Sequence, residues 1–207
     1  MRTDLFQSCG LNVSRETIDR LEALLAVMVK WNAKINLVSR SSLADAWSRH
    51  IVDSAQIYGL APENTKNWAD LGSGGGFPGL VIAAIAVELN PDLCVTLVEA
   101  NQRKATFLRQ ASQELALNTK VMSDRIETIE PLRAEVLSAR ALAPLDMLCG
   151  FVARHLAPNG AALFPKGETY TQEIQAAQLN WRFEASIKIS VTEPKAVILK
   201  LKDLTHV

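Results

Sequence analysis

Asn67-Trp68-Ala69-Asp70-Leu71-Gly72-Ser73-Gly74-Gly75-Gly76-Phe77-Pro78-Gly79 is the stretch whose reading decides the fold. An apolar segment carrying one aspartate runs into a turn dense in glycine, followed by a proline and an apolar run from Leu80 to Leu89. Glycine at this density lets backbone N–H groups approach a ligand closely and reach positive φ without strain. Pro78 suits the first turn of a helix, where its missing N–H is not needed. The stretch therefore predicts a strand, a glycine turn and a helix N-terminus. Open α/β sheets bind nucleotide-like ligands at such a place.

Downstream the pattern alternates. Strands are expected at Asn67–Leu71, Cys94–Glu99, Lys120–Met122, Val136–Ala139, Ala161–Phe164, Phe183–Ile189 and Ala196–Leu201. Helices are expected at Pro78–Leu89, Gln102–Ala116 and Pro144–Leu156. This alternation implies an α/β fold with a mostly parallel seven-stranded sheet and helices on both faces. Only Ser190 to Lys195 separate the last two strands, too few residues for a crossover helix, so the sheet should end in an antiparallel pair.

Upstream there is no strand pattern. Ser14 is placed to cap a helix whose apolar residues Ile18, Leu21, Leu24, Leu25, Met28 and Val29 recur at helical spacing. Ser41 or Ser42 would cap a second helix. A third should run from about Ala46 to Tyr58, where Gly59 and Pro62 stop it. Residues 1–62 thus read as a helical extension packed on a core formed by residues 63–207.

The chain has 207 residues, 48% of them hydrophobic, enough to bury a substantial core. Its formal net charge is zero, so a nucleic-acid partner would have to be met by a local patch. Cys9, Cys94 and Cys149 form no C-x-x-C pair, and His50, His155 and His206 are isolated; neither a disulfide scaffold nor a metal site is expected. The start of the chain lacks a signal-peptide layout, and the longest apolar run, Gly79 to Val87, is too short to span a bilayer. The expectation is a soluble cytoplasmic protein, with nothing demanding more than a monomer.

Three glycine-loop ligands compete. A Walker P-loop needs G-x-x-x-x-G-K-[ST], which is absent. A dinucleotide fingerprint starting at Gly72 would place its third glycine at position 77, where Phe77 is too large for close helix–strand packing. The third pattern, an acid followed by alternating glycines, is met by Asp70, Gly72, Gly74 and Gly76. It resembles the first motif of the Rossmann-like class I methyltransferases that use S-adenosylmethionine. Glu99, one βα unit later, ends a strand where a carboxylate can accept hydrogen bonds from both ribose hydroxyls of an adenosyl group. NAD-binding proteins use an equivalent acid, so the discrimination rests on Phe77 and the glycine spacing.

The resemblance sharpens with further residues: Trp31-Asn32 with Asn36-Leu37, Arg49-His50-Ile51-Val52-Asp53-Ser54, the G-x-G-x-G-F-P-G form of the loop, Arg125-Ile126-Glu127, Ser138 with Arg140 and Ala141, and Pro165-Lys166-Gly167. Together these resemble the glucose-inhibited division protein B (RsmG) family of 16S rRNA guanine-N-7 methyltransferases. Gly75 departs from the family pattern, which often has proline there. The resemblance implies S-adenosylmethionine as cofactor and 16S rRNA as partner, within a 30S or pre-30S particle. It implies contacts from Gly72 and Phe77, with Ile126 and Glu127 beside the adenine. Arg140 would reach the methionine end of the cofactor or the target base.

Methylation at guanine N-7 uses an in-plane lone pair and removes no proton, so no general base is required. The sequence has no N-P-P-Y or D-P-P-Y motif and no Pro-Cys pair. Arg140 and Lys166 would donate to guanine O-6 or nearby phosphates, although a lysine before Gly167 also suits a plain turn cap. His50 and Asp53, three apart on a helix face, read as a hydrogen-bonded pair locking the extension to the sheet, in preference to the alternative of RNA contact. Trp31 and Asn36 read as packing and capping the turn between them. Lys30, Lys34, Arg40, Arg49, Arg103, Lys104 and Arg125 are candidates for a phosphate-binding patch. Two rival functions stay open on the residues alone: a methyltransferase of this fold acting on a small molecule or protein, and a non-catalytic nucleotide-binding regulator.

Overall fold

The computed structural model describes residues 2–207. Its centre is one seven-stranded sheet in the order β3-β2-β1-β4-β5-β7-β6. The strands are β1 (Asn67–Leu71), β2 (Cys94–Val98), β3 (Thr119–Met122), β4 (Ala134–Ser138), β5 (Leu156–Lys166), β6 (Trp181–Ile189) and β7 (Val197–His206). The first five are parallel, and β7 lies antiparallel between β5 and β6. The order reverses at β1, between β2 and β4. In such sheets the crevice at the reversal, beyond the carboxyl ends of the strands, is the ligand side.

Among the described residues eight α-helices surround the sheet: α1 (Arg2–Ser8), α2 (Arg15–Asn32), α3 (Arg40–Leu43), α4 (Asp53–Tyr58), α5 (Gly79–Leu89), α6 (Gln102–Glu114), α7 (Leu145–His155) and α8 (Tyr170–Ala177). The run Gly79–Ala86 is buried without a break. A helix apolar all round needs cover on every side, and the early helices supply it. Phe6, Leu21, Leu24, Met28, Ile51 and Ile57 share one apolar layer with α5 and α6. The other face of the sheet packs on Leu145, Leu148, Phe151 and Val152 of α7. Glu88 pins α2 to α5, accepting from Ser14 N (3.0 Å) and Ser14 Oγ (2.8 Å).

The local readings need four corrections. Ser39, rather than Ser41 or Ser42, caps α3, its hydroxyl accepting from Ser42 N. The expected third helix is two pieces, a π-helical turn over Trp47–Val52 and then α4. The turn between α2 and α3 is capped by Asn32 rather than Asn36: its Oδ1 accepts from Leu37 N (2.8 Å) and Val38 N (3.0 Å). Finally, β5 and β7 extend well beyond Ala161–Phe164 and Ala196–Leu201: β5 begins at Leu156, which pairs with Ala134 of β4, and β7 runs on past Leu201 along β6 alone. Among the described residues no helix is long and apolar enough to cross a membrane.

Candidate active site

The glycine loop is built from below by a buried carboxylate. Register places Asp70 on β1 beside Ser138 on β4. Asp70 Oδ1 accepts from Ser138 Oγ (2.7 Å) and Oδ2 from Gly79 N (3.2 Å), while Ser73 Oγ donates to the Asp70 carbonyl (2.8 Å). Ser138 Oγ in turn accepts from the Trp68 indole (2.9 Å). Asp70 is fully buried, so the acid expected at the cofactor instead faces inward and ties β1, β4, the loop and α5 together.

Burial pushes the Asp70 carboxyl up to about 6, against the hydrogen bonds from Ser138, Ser73 and Gly79 that favour the charged form. A carboxyl raised in the fold holds its proton more tightly there than in the unfolded chain. Its stabilising contribution is complete below about pH 4 and is lost as pH rises through about 6. Asp70→Asn cannot ionise, so its stability relative to wild type should be about 3 kcal/mol better at pH 7 than at pH 4. Urea unfolding at the two pH values checks this, and an unchanged difference would refute it.

Gly72, Gly74 and Gly76 all adopt positive φ, which turns the loop back across the strand ends. Gly72 and Gly74 remain partly exposed, while Gly75 and Gly76 are buried. Glu99, just past β2, is already part of this cradle. Its Oε2 accepts from Gly74 N (2.8 Å) and its Oε1 from Asn101 N (2.7 Å). A carboxylate has about four acceptor positions, so lone pairs remain for ligand hydroxyls. Gly79, the last glycine of the G-x-G-x-G-F-P-G form, lets α5 approach the strands closely: a Cβ there would lie 2.3 Å from Leu97 Cδ2 and 2.7 Å from Asp70 Oδ2.

Phe77 is buried beneath the N-terminal helices. Its ring stacks on His50 at 4.7 Å between centroids, and the Arg140 guanidinium carbon lies 5.3 Å from its centroid. Arg140 follows β4 and donates through Nη1 to the Arg49 carbonyl (2.9 Å); its Nη2 lies 3.1 Å from His50 Nδ1. Burial, with Arg140 and Arg49 close by, holds the His50 pKa down to about 4. The imidazole is therefore neutral at pH 7 and Nδ1 is free to accept from Arg140. His50 and Asp53 do not pair with each other as expected. Asp53 Oδ1 instead accepts from Gln56 Nε2 and Thr192 Oγ1, tying α4 to the β6–β7 turn.

Ile126 is buried and Glu127 exposed on the segment after β3. His155, fully buried at the end of α7, orients this segment. Its Nδ1 accepts from Leu132 N (3.4 Å), so Nε2 carries the proton and donates to the Ile126 carbonyl (2.9 Å). Lys166 is engaged: its Nζ pairs with Glu173 Oε2 (2.7 Å) and donates to the Ala143 carbonyl (3.1 Å), while that same Oε2 accepts from Leu145 N (3.0 Å). The lysine read as a donor to the base thus braces the Ala141–Pro144 segment. Arg140 and Lys166 line one open cleft of about 640 Å³ together with Leu142, Pro144 and Pro165. A separate cavity of about 370 Å³, lined by Tyr58 and Trp68, lies at the opposite ends of the strands and contains none of the expected site residues.

Of the basic residues proposed for RNA, Lys30, Lys34, Arg40, Arg49, Arg103 and Arg125 are exposed and Lys104 is half-buried. Ser138 belongs to the resemblance, but its bond to Asp70, like the roles of His155 and Glu173, joins segments distant in the chain and could not be read from residue spacing. Among the described residues no group of three His, Cys, Asp or Glu side chains is gathered as a metal site.

The chain matches the family described as GidB, rRNA small subunit methyltransferase G, over residues 17–201. It is 55% identical over 198 residues to the ribosomal RNA small subunit methyltransferase G of a Cereibacter sphaeroides strain, covering 96% of this chain and 95% of that protein. With the protein of the same name from Ruegeria pomeroyi it shares 50% over 197 residues, 95% of this chain and 96% of the other. Among solved structures, a methyltransferase from Geobacter sulfurreducens aligns with a TM-score of 0.58 at 14% identity, covering 87% of this chain and 88% of that one. M. jannaschii TYW2 in complex with AdoMet gives 0.57 at 14%, over 84% and 80%. At that identity the likeness shows the fold alone, a Rossmann-like α/β sheet.

Proposed function

Because the chain belongs to the rRNA small subunit methyltransferase G family, we propose that it methylates N-7 of a guanine in 16S ribosomal RNA, using S-adenosylmethionine. The family supports the guanine in the loop near the decoding site, presented in a 30S or pre-30S particle. We read the protein as a cytoplasmic monomer. The observation that carries the cofactor assignment is the cradle itself: three positive-φ glycines above Asp70, with Glu99 bonded to the loop at Gly74.

When bound, S-adenosylmethionine supplies an electrophilic methyl group on a sulfonium sulfur. The residues of this chain supply position. Gly72 and Gly74 would pass beneath the methionine portion, Glu99 would accept from the ribose hydroxyls, and Ile126 with Glu127 would flank the adenine. Purine N-7 offers a lone pair in the ring plane, so no side chain has to remove a proton. Arg140 would donate to guanine O-6 or a neighbouring phosphate. The neutral net charge fits a substrate recognised by shape within a structured particle more than a strong binder of naked RNA.

Incubation with 30S particles, protein-free 16S rRNA and methyl-labelled S-adenosylmethionine tests this reading. Label on guanine N-7 is expected; label absent from RNA, or on another atom, refutes it. Calorimetry tests the cofactor half. Glu99→Ala should weaken S-adenosylmethionine binding about tenfold to a hundredfold, the loss of one or two charged hydrogen bonds. An unchanged dissociation constant would remove Glu99 from the site.

A further inference from the structure

We infer that His50 is a positioning residue for Arg140: the π-helical turn of the N-terminal helices holds the arginine in place and sets where its free donors point. The inference rests on the methyl-transfer reading of the cleft above.

A guanidinium carries five N–H donors in a rigid planar fork. In Arg140 two are committed, Nη1 to the Arg49 carbonyl and Nη2 to His50 Nδ1. The other three have no partner among the described residues. Both acceptors come from consecutive residues of one turn, Trp47–Val52, whose π-helical winding is a common mark of functional sites. Both are also neutral. A carbonyl and an imidazole fix its plane without forming an ion pair; Asp53 and Asp70 act on its charge only from a distance, with no hydrogen bond to it.

The imidazole ring is constrained on its own account. One face stacks on Phe77 of the glycine loop. Since Nδ1 accepts, Nε2 carries the proton, and Nε2 is buried without a partner among the described residues. An unmet buried donor costs about 1–3 kcal/mol, so Nε2 gives no reason for a histidine here; the hydrogen bond that Nδ1 accepts from Arg140 does. The turn is braced from behind. Gln56 donates to Asp53 and Ser190 and accepts from Val191 N (3.1 Å), and Asp53 also holds Thr192, so α4 is tied to the β6–β7 turn.

Two variants separate the acceptor from the ring. His50→Phe keeps an aromatic ring for Phe77 and removes Nδ1; His50→Asn places Oδ1 where Nδ1 stood. The first readout needs no substrate: the rate at which phenylglyoxal modifies Arg140 in the intact protein, followed by mass spectrometry. His50→Phe should raise it several-fold, and His50→Asn should return it towards wild type. The second readout is transfer to 30S particles. His50→Phe should lower kcat about a hundredfold, the effect of displacing a reacting group by ~1 Å. The KM for S-adenosylmethionine should stay within about twofold of wild type, and His50→Asn should recover most of kcat. Equal modification rates in wild type and His50→Phe overturn the clamp. A raised modification rate with unchanged kcat overturns its role in positioning. Wild-type protein that transfers no methyl to any rRNA instead overturns the underlying reading, while the modification rates still decide the clamp. Should His50→Phe not fold, His50→Ala carries the same two measurements.

Discussion

Gly79→Ala is expected to lower the stability of the protein by about 3 kcal/mol, combining an overpacked seam with a strained charged hydrogen bond. The new Cβ would sit 2.3 Å from Leu97 Cδ2 and 2.7 Å from Asp70 Oδ2. Helix and strand must part, or Leu97 must leave its rotamer. Parting them stretches the bond from Gly79 N to Asp70, a carboxylate with few donors and no access to water. Alanine gains about 0.5–1 kcal/mol over glycine from helix propensity, which is too little to offset the clash. In a protein of this size the melting temperature should fall by about 6–12 °C. Gly167→Ala, where a Cβ meets nothing within 4 Å, is the control and should change stability by less than about 0.5 kcal/mol. A drop below about 2 °C for Gly79→Ala would mean that the seam relaxes without cost.

The second large effect is on turnover. Arg140→Ala is expected to reduce methyl transfer about a hundredfold to a thousandfold, as deletion of a preorganised donor at a reacting group does. It also leaves His50 Nδ1 and the Arg49 carbonyl unmet, and should cost about 1–3 kcal/mol of stability. Single-turnover labelling of 30S particles measures the first effect; a thermal midpoint confirms that the variant is folded. Arg140→Lys should not rescue, because an ammonium on a flexible stem cannot reproduce a fork held by two acceptors. Transfer within about threefold of wild type in Arg140→Ala would refute its role.

Asp70 shows how far motif reading reaches. An acid before alternating glycines was legible as the mark of this loop, and so was the loop's position between a strand and a helix. The direction of the carboxylate was not legible. It is set by the β1–β4 register, which brings Ser138 beside it from 68 residues away. Phe77 rejected the dinucleotide fingerprint by its size. Its actual neighbours, His50 and Arg140, come from segments on either side of it in the chain and meet only on the folded sheet. Lys166 was legible as a cation near the site, but its pairing with Glu173 depends on α8, a helix of only eight residues that the sequence reading did not include.

By itself the sequence determined whatever rests on neighbours in the chain: the βα alternation, the antiparallel close of the sheet, the glycine loop, the Ser14 cap and the family. Periodicity, turn chemistry and glycine spacing act over a few residues, so they are written locally. Tertiary structure alone decided which polar groups face the cleft and which hold it from behind. Strand order and register bring together β1 with β4, and the π-helical turn with Arg140, and each side chain's partners follow from that meeting. The stretch from Asp70 to Gly79 names the loop. Ser138, Glu99 and His50, all outside it, decide what its residues can do.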